Sequence, residues 1–140
     1  MALIARYFLD TSAMSRIKLP VVARRIMPII DEGLVATCAA LDAEALFSSR
    51  NLHDYEVRRS DRRSAFEYRP TDDEHWQAAL DAQRRLARTG RHRAVGIADL
   101  LVSVLAARHR LTVLHYDADY EVAATVVDFE QRWIAPRGSL

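Results

Sequence analysis

The segment "ADLLVSVLAARHRLTVLHYDADY", residues 98–120, decides the fold. Its first half is apolar nearly all round, which is typical of a helix buried at the centre of a domain. Its second half contains a short apolar strand, "LTVLHY", that runs into Asp117. A buried helix followed at once by such a strand predicts a parallel sheet that is covered on both faces.

The rest of the chain repeats this alternation of short apolar strands and helices. Further strands are predicted at "ARYFL" (5–9), "GLVATC" (33–38) and "TVVDF" (125–129), with "RWIAP" (132–136) as an edge or tail. Helices are predicted at "SAMSRI", "PVVARRIMPII", "ALDAEALFSSR", "HDYEVRRSDRRSAFEY" and "TDDEHWQAALDAQRRLARTG". We therefore expect a single domain, residues 1–140, with a three-layer α/β/α fold around a mainly parallel sheet of four to five strands.

Composition excludes several classes of protein. The net charge of +1 is too small for a generally polybasic nucleic-acid binder, although all but one of the twenty basic residues are arginine. Arginine grips phosphate with a planar fork, but a GC-rich genome would give the same bias. The single cysteine, Cys38, excludes an intramolecular disulfide. No apolar run suits a secretory signal or a membrane span, so we expect a cytoplasmic protein without membrane association.

Four acidic residues are predicted to meet at one edge of the sheet. Asp10 and Asp117 each follow a strand, whereas Glu44 and Asp99 lie in the first turns of helices. Strand ends and helix starts share the carboxyl edge of a parallel sheet, so these side chains should converge. Clustered carboxylates are tolerated when cations lie among them, and all-oxygen donor sets favour Mg²⁺ or Mn²⁺. Such a site can activate water for attack on a phosphodiester.

Each of these acids also has a purely structural interpretation. Asp10 and Asp99 could be helix caps, and Asp117 could be a turn residue. Asp42 competes with Glu44, but residues two apart on a helix point about 200° apart, so only one of them can face the site. Asp42 stands where a helix-starting residue belongs, which favours Glu44. Asp119 is the less direct alternative to Asp117, because it lies farther from the strand end.

Four segments together resemble the PIN domain, specifically the VapC toxins of bacterial VapBC toxin–antitoxin pairs. The segments are "FLDTSA", "LDAEAL" with Glu44, "IADLLVSVLAARHRL" and "TVLHYDADYE", and the resemblance extends from the first strand to about Val127. It implies a Mg²⁺- or Mn²⁺-dependent endoribonuclease that cleaves structured RNA such as tRNA or ribosomal RNA. It also implies a homodimer and a VapB-type antitoxin.

The resemblance assigns roles to particular residues. Its catalytic, metal-binding acids fall on Asp10, Glu44, Asp99 and Asp117, with Asp119 as an accessory metal ligand, and its small hydroxyl residue falls on Thr11 or Ser12. His115 is a departure, because many PIN domains have threonine or serine there. Its imidazole could hydrogen-bond water or phosphate, or titrate near neutral pH, but packing or structural hydrogen bonding is favoured. We expect the antitoxin to contact the helices that contain Arg24, Arg25 and residues 46–52.

The loop residues Arg91, His92 and Arg93 are the predicted phosphate-binding group, because they precede Asp99 at the same edge. Two other functions stay open. One is a PIN-like RNA-binding module without turnover. The other is a receiver-like domain that binds Mg²⁺ and accepts a phosphoryl group. A receiver needs an acidic pair after the first strand and a lysine after the last, and the only lysine here is Lys18.

Overall fold

The computed structural model describes residues 4–140 and contains a parallel sheet between two layers of helices. The first three residues of the predicted domain lie outside the described residues. The strands are β1 (Tyr7–Leu9), β2 (Val35–Thr37), β3 (Glu67–Tyr68), β4 (Thr112–His115) and β5 (Glu130–Trp133), in the order β3-β2-β1-β4-β5. The helices are α1 (Thr11–Met14), α2 (Pro20–Asp31), α3 (Ala39–Phe47), α4 (Leu52–Ala65), α5 (Asp73–Ala87), α6 (Ile97–His109) and α7 (Asp119–Ala123). Every strand pairing is parallel, which confirms the predicted fold class.

Alternating side chains divide the core between the two faces of the sheet. Phe8 and Val113 point into one cluster, which contains the buried residues of α5, α6 and α7. Their neighbours Leu9 and Leu114 point into the other, which packs against α1 and α2. This follows from the two-residue period of a strand, and it explains why the short strands are apolar throughout.

Helix α6 is the central buried helix that its composition predicts. Residues 100–106 are all buried, and the one polar side chain among them, Ser103, donates its hydroxyl proton to the carbonyl of Asp99 at 2.7 Å. The helix ends at Arg110, which adopts the left-handed conformation with φ 55° and lets the chain turn at once into β4. This short connection places the start of α6 and the end of β4 at the same edge of the sheet.

Two predicted elements are wrong. Residues 125–129 form a turn and a loop, and the last strand is Glu130–Trp133. Val126 and Val127 of this segment pack against the core cluster that contains the buried residues of α6, so these β-branched side chains contribute to packing and not to strand pairing. The helix predicted to extend to Tyr68 ends at Ala65, because Phe66 is extended and Glu67–Tyr68 pair with β2.

None of the helices within residues 4–140 has the length and apolar composition that a membrane span requires.

Candidate active site

Asp10 is both a helix cap and a member of the acidic cluster. It follows β1, and its Oδ2 accepts hydrogen bonds from the Ser12 backbone N–H at 3.0 Å and from Ser12 Oγ at 2.6 Å. Ser12 Oγ in turn accepts the backbone N–H of Tyr116 at 2.8 Å, which ties the start of α1 to the end of β4. Asp10 Oδ1 faces the other acids. The capping and site interpretations of this residue are therefore compatible.

Asp99 lies in the first turn of α6 and is partly buried beside Asp10. Its pKa is raised from 3.8 to about 7, first by burial and then by the negative charges of Asp10, Glu44 and Asp117. The hydroxyl of Tyr120 lies 2.6 Å from Asp10 Oδ1 and 3.2 Å from Asp99 Oδ1, and it opposes part of this rise. Without a cation, the cluster thus favours a proton on one of its acids.

Helix α3 separates its two acids as helical spacing predicts. Glu44 faces Asp10 and Asp99, and its pKa is raised by burial and then by the charges of Asp10 and Asp117. Asp42 points away from the cluster. Its Oδ1 accepts hydrogen bonds from Thr37 Oγ1 at 2.6 Å and from Arg62 Nε at 2.8 Å. Asp42 therefore anchors α4 to α3, and Glu44 is the acid of α3 that belongs to the acidic cluster.

The end of β4 is held by His115. Its Nδ1 accepts the backbone N–H of Asp117 at 3.1 Å, so its Nε2 carries the proton and donates to Gln131 Oε1 at 2.6 Å. Burial lowers the pKa of His115, which keeps the ring neutral. With both nitrogens engaged inside the protein, the imidazole acts on the site through the Asp117 backbone, in line with the structural interpretation of this residue.

Asp117 and Asp119 complete the cluster at the start of α7. Asp117 Oδ1 accepts the backbone N–H of Asp119 at 2.9 Å, which places the two carboxylates side by side. Burial, followed by the charge of Asp117, raises the pKa of Asp119.

The five carboxylates fit a hard divalent cation. Asp10, Glu44 and Asp99 each offer an oxygen within 4.8 Å of the others, and so do Asp99, Asp117 and Asp119. Asp99 belongs to both triads, so a cation in either would contact it. Oxygen donors alone suit Mg²⁺ or Mn²⁺ better than zinc.

The remaining predicted site residues are not members of the two triads. Of the two hydroxyl residues, Ser12 contacts Asp10, whereas Thr11 lines a groove beside α3 and α4 with Ala45 and Ser48. Arg91, His92 and Arg93 are exposed in the loop that leads into α6. Arg91 Nε donates to Thr89 Oγ1 at 3.0 Å, so part of its guanidinium is used within the loop.

Sequence reasoning missed the part that Tyr120 and Gln131 play. Tyr120 lies in the buried core, and its hydroxyl also contacts two of the acids. Tyr120 follows Asp117 by about one helical turn, and a buried phenol needs a hydrogen-bond partner. Together these two facts indicate a contact between the Tyr120 hydroxyl and the acids. Gln131 offered no signal, because β5 was predicted at residues 125–129.

Comparison with known proteins identifies the family of the chain. The family model for the PIN domain matches residues 7–126. Ribonuclease VapC21 of Mycobacterium tuberculosis is 37% identical over 134 residues, which cover 96% of this chain and 97% of that protein. Ribonuclease VapC51 of the same organism is 36% identical over 135 residues, with coverages of 96% and 97%.

Solved structures share the fold. A chain in the crystal structure of VapBC2 from Rickettsia felis, bound to a DNA fragment from its promoter, has a TM-score of 0.71 at 13% identity, covering 91% of this chain and 97% of that one. A chain of VapBC-5 from M. tuberculosis has a TM-score of 0.60 at 25% identity, with coverages of 91% and 97%. On the match to the family model and on its VapC relatives, the chain belongs to the PIN domain family.

Proposed function

We propose that this protein is a Mg²⁺- or Mn²⁺-dependent endoribonuclease and the toxin of a toxin–antitoxin pair. One observation carries the proposal: five carboxylates from four separate segments meet at the carboxyl edge of the sheet and form two triads that share Asp99. Curated relatives over nearly the whole chain are named ribonucleases, which supports the choice of substrate class. Structured RNA, tRNA or ribosomal RNA, is the substrate that we propose.

Asp10, Glu44, Asp99 and Asp117 would hold the cation, with Asp119 as an accessory ligand. When bound, a divalent ion supplies Lewis acidity, which makes water more acidic and neutralises negative charge at the phosphate under attack. The protein contributes an arrangement that is set before substrate arrives: Ser12 orients Asp10, and the ring of His115 holds the backbone of Asp117. This preorganisation avoids the cost of gathering like charges during the reaction.

The approach of RNA to an acidic pocket requires positive charge nearby. Arg91, His92 and Arg93 are exposed in the loop just before α6, whose first turn carries Asp99. We infer that this loop contacts phosphates beside the scissile bond and holds the backbone in register without reading its sequence.

The deciding experiment is cleavage of total RNA by purified, antitoxin-free protein in Mn²⁺, with fragment ends mapped by sequencing. We expect discrete cuts in few RNA species, and a loss of at least about 100-fold with EDTA, with Asp10→Asn or with Asp99→Asn. Asp42→Asn is the matched control, since this acid pairs with Arg62 outside the cluster, and it should retain cleavage. Full activity of Asp10→Asn would reject the proposal. RNA binding without cleavage by the wild-type protein would support the binding-module alternative.

The proposed antitoxin partner would cover an exposed apolar surface on α3 and α4. Phe47 is 91% exposed and Leu52 is 75% exposed, and α4 contains no buried residue over its 14-residue length. This surface overlaps the predicted contact at residues 46–52. Arg24 and Arg25 are both exposed, and the Arg25 guanidinium also donates to the Ile134 carbonyl.

A double variant tests this surface. Phe47→Ser with Leu52→Ser should release a co-expressed antitoxin while RNA cleavage persists, because neither residue belongs to the acidic cluster. Retention of the antitoxin at unchanged affinity would contradict the proposed surface. We also propose a homodimer, which light scattering should detect as about twice the 15.9 kDa chain mass.

A further inference from the structure

The side chain of Tyr120 is fixed in position next to the acidic cluster. It is fully buried near the start of α7, and its ring packs against His115 at 4.9 Å and Phe129 at 6.4 Å between centroids. The ring cannot swing away without opening the core, so the hydroxyl has one position. That position lies between Asp10 Oδ1 and Asp99 Oδ1.

The hydrogen bonds of Asp10 leave a defined place for a cation. A carboxylate offers about four lone-pair directions. Ser12 takes two of them on Oδ2, through its backbone N–H and its hydroxyl, and Tyr120 takes one on Oδ1. A single direction on Oδ1 remains. Tyr120 therefore determines the direction in which the remaining lone pair of Asp10 Oδ1 points.

The same hydroxyl also sets the spacing between the two acids. The phenol proton lies within hydrogen-bonding distance of both Oδ1 atoms, at 2.6 Å from the hydroxyl oxygen to Asp10 and 3.2 Å to Asp99. Both carboxylate oxygens therefore accept from one hydroxyl whose position on α7 is fixed. Repulsion between the carboxylates would otherwise turn them apart.

We propose that Tyr120 is a positioning residue that holds Asp10 and Asp99 in the orientation that receives the divalent ion. This inference rests on the proposed metal dependence and adds to it a group that does not itself bind the metal. Partners of metal ligands, when removed, typically lower metal affinity on the order of 10–100-fold.

The test is calorimetric titration of Mn²⁺ into metal-free wild-type protein and Tyr120→Phe, which removes the hydroxyl and keeps the ring. We expect the dissociation constant of the variant to rise at least about tenfold, with unchanged circular dichroism. The rate of RNA cleavage should recover at saturating Mn²⁺. The matched control is Tyr116→Phe, which removes a hydroxyl that, within residues 4–140, accepts only the Leu140 backbone N–H and should leave Mn²⁺ affinity unchanged.

The outcomes separate this inference from the proposed function. Equal or tighter Mn²⁺ binding by Tyr120→Phe, with normal binding by the wild type, overturns the positioning role and leaves metal dependence intact. Absence of Mn²⁺ uptake by the folded wild type overturns both. If Tyr120→Phe unfolds at the assay temperature, the comparison is made in the Arg110→Gly background. This second substitution places glycine at the left-handed position that ends α6, where glycine adopts φ 55° without strain.

Discussion

Asp99→Asn should make the metal-free protein more stable, although Asp99 is proposed to be essential for activity. Burial and three neighbouring acids raise the pKa of Asp99 from 3.8 to about 7. In the unfolded chain the same carboxyl titrates near its ordinary pKa of about 3.9. The folded protein therefore binds this proton more tightly than the unfolded chain does. Its contribution to stability is complete below about pH 4 and is lost as the pH rises to about 7.

The size of the effect follows from the pKa change. A rise of about three units, at about 1.36 kcal/mol each, corresponds to about 4 kcal/mol of destabilisation above pH 7. Asparagine removes this cost, but it brings amide N–H donors into a partly buried position, and one donor left without a partner offsets about 2 kcal/mol of the gain. We therefore expect Asp99→Asn to raise the free energy of unfolding of the metal-free protein by about 2 kcal/mol, which corresponds to roughly 4–8 °C in melting temperature.

The assay is thermal or urea unfolding at pH 8 in EDTA, repeated with saturating Mn²⁺. Binding at 100 times the dissociation constant adds about 2.7 kcal/mol to the wild type, and the variant should lose most of this gain. The order of stability should therefore reverse when metal is added. Asp42→Asn should behave oppositely: it should lose about 1–3 kcal/mol in EDTA, because Arg62 and Thr37 lose an anionic partner, and should retain the metal response.

Two results would refute this reasoning. One is a variant less stable than the wild type in EDTA at pH 8. The other is a wild type whose metal-free stability does not fall between pH 4 and pH 7. Either result would mean that burial and the neighbouring acids do not destabilise the ionised form of Asp99.

Three further predictions concern other parts of the chain. Arg93→Ala should weaken RNA binding and reduce the slope of log affinity against log salt by about 0.7–0.9, as expected for one lost phosphate contact. Arg84→Ala, at the end of α5, should leave the slope unchanged. Equal slopes for the two variants would show that the loop does not contact RNA. Arg110→Gly should raise the free energy of unfolding by about 0.5 kcal/mol, because glycine adopts φ 55° without strain, and a loss of stability in urea titrations would contradict this. Cys38 should react with a thiol reagent only on unfolding, since burial raises the pKa of its thiol to about 11, and rapid labelling of the native protein would show that this end of β2 opens.

Much of the acidic cluster could be predicted because the order of strands and helices determines which residues lie at one edge of the sheet. Parallel strands alternating with helices bring strand ends and helix starts to one edge, so Asp10, Glu44, Asp99 and Asp117 could be grouped without coordinates. Helical spacing allows only one of Asp42 and Glu44 to face the site, and the helix-starting position of Asp42 favoured Glu44. These inferences need only the order of elements, and not their exact ends.

The parts that were missed depend on contacts between residues far apart in sequence. Strand β5 begins five residues after the predicted one, because Val126 and Val127 pack against the core while residues 130–133 pair with β4. Gln131 therefore could not be placed beside His115. The two-residue strand β3 is too short for any periodicity, and the joint contact of Tyr120 with Asp10 and Asp99 exists only once α7 has docked.

Anomalous diffraction from a crystal of antitoxin-free protein soaked in MnCl₂ tests the metal site most directly. We predict a Mn²⁺ peak in contact with carboxylate oxygens of Asp10, Glu44 and Asp99, with any second peak sharing Asp99. A map without a peak among these residues at saturating Mn²⁺, or with Mn²⁺ bound elsewhere on the protein only, would contradict the account.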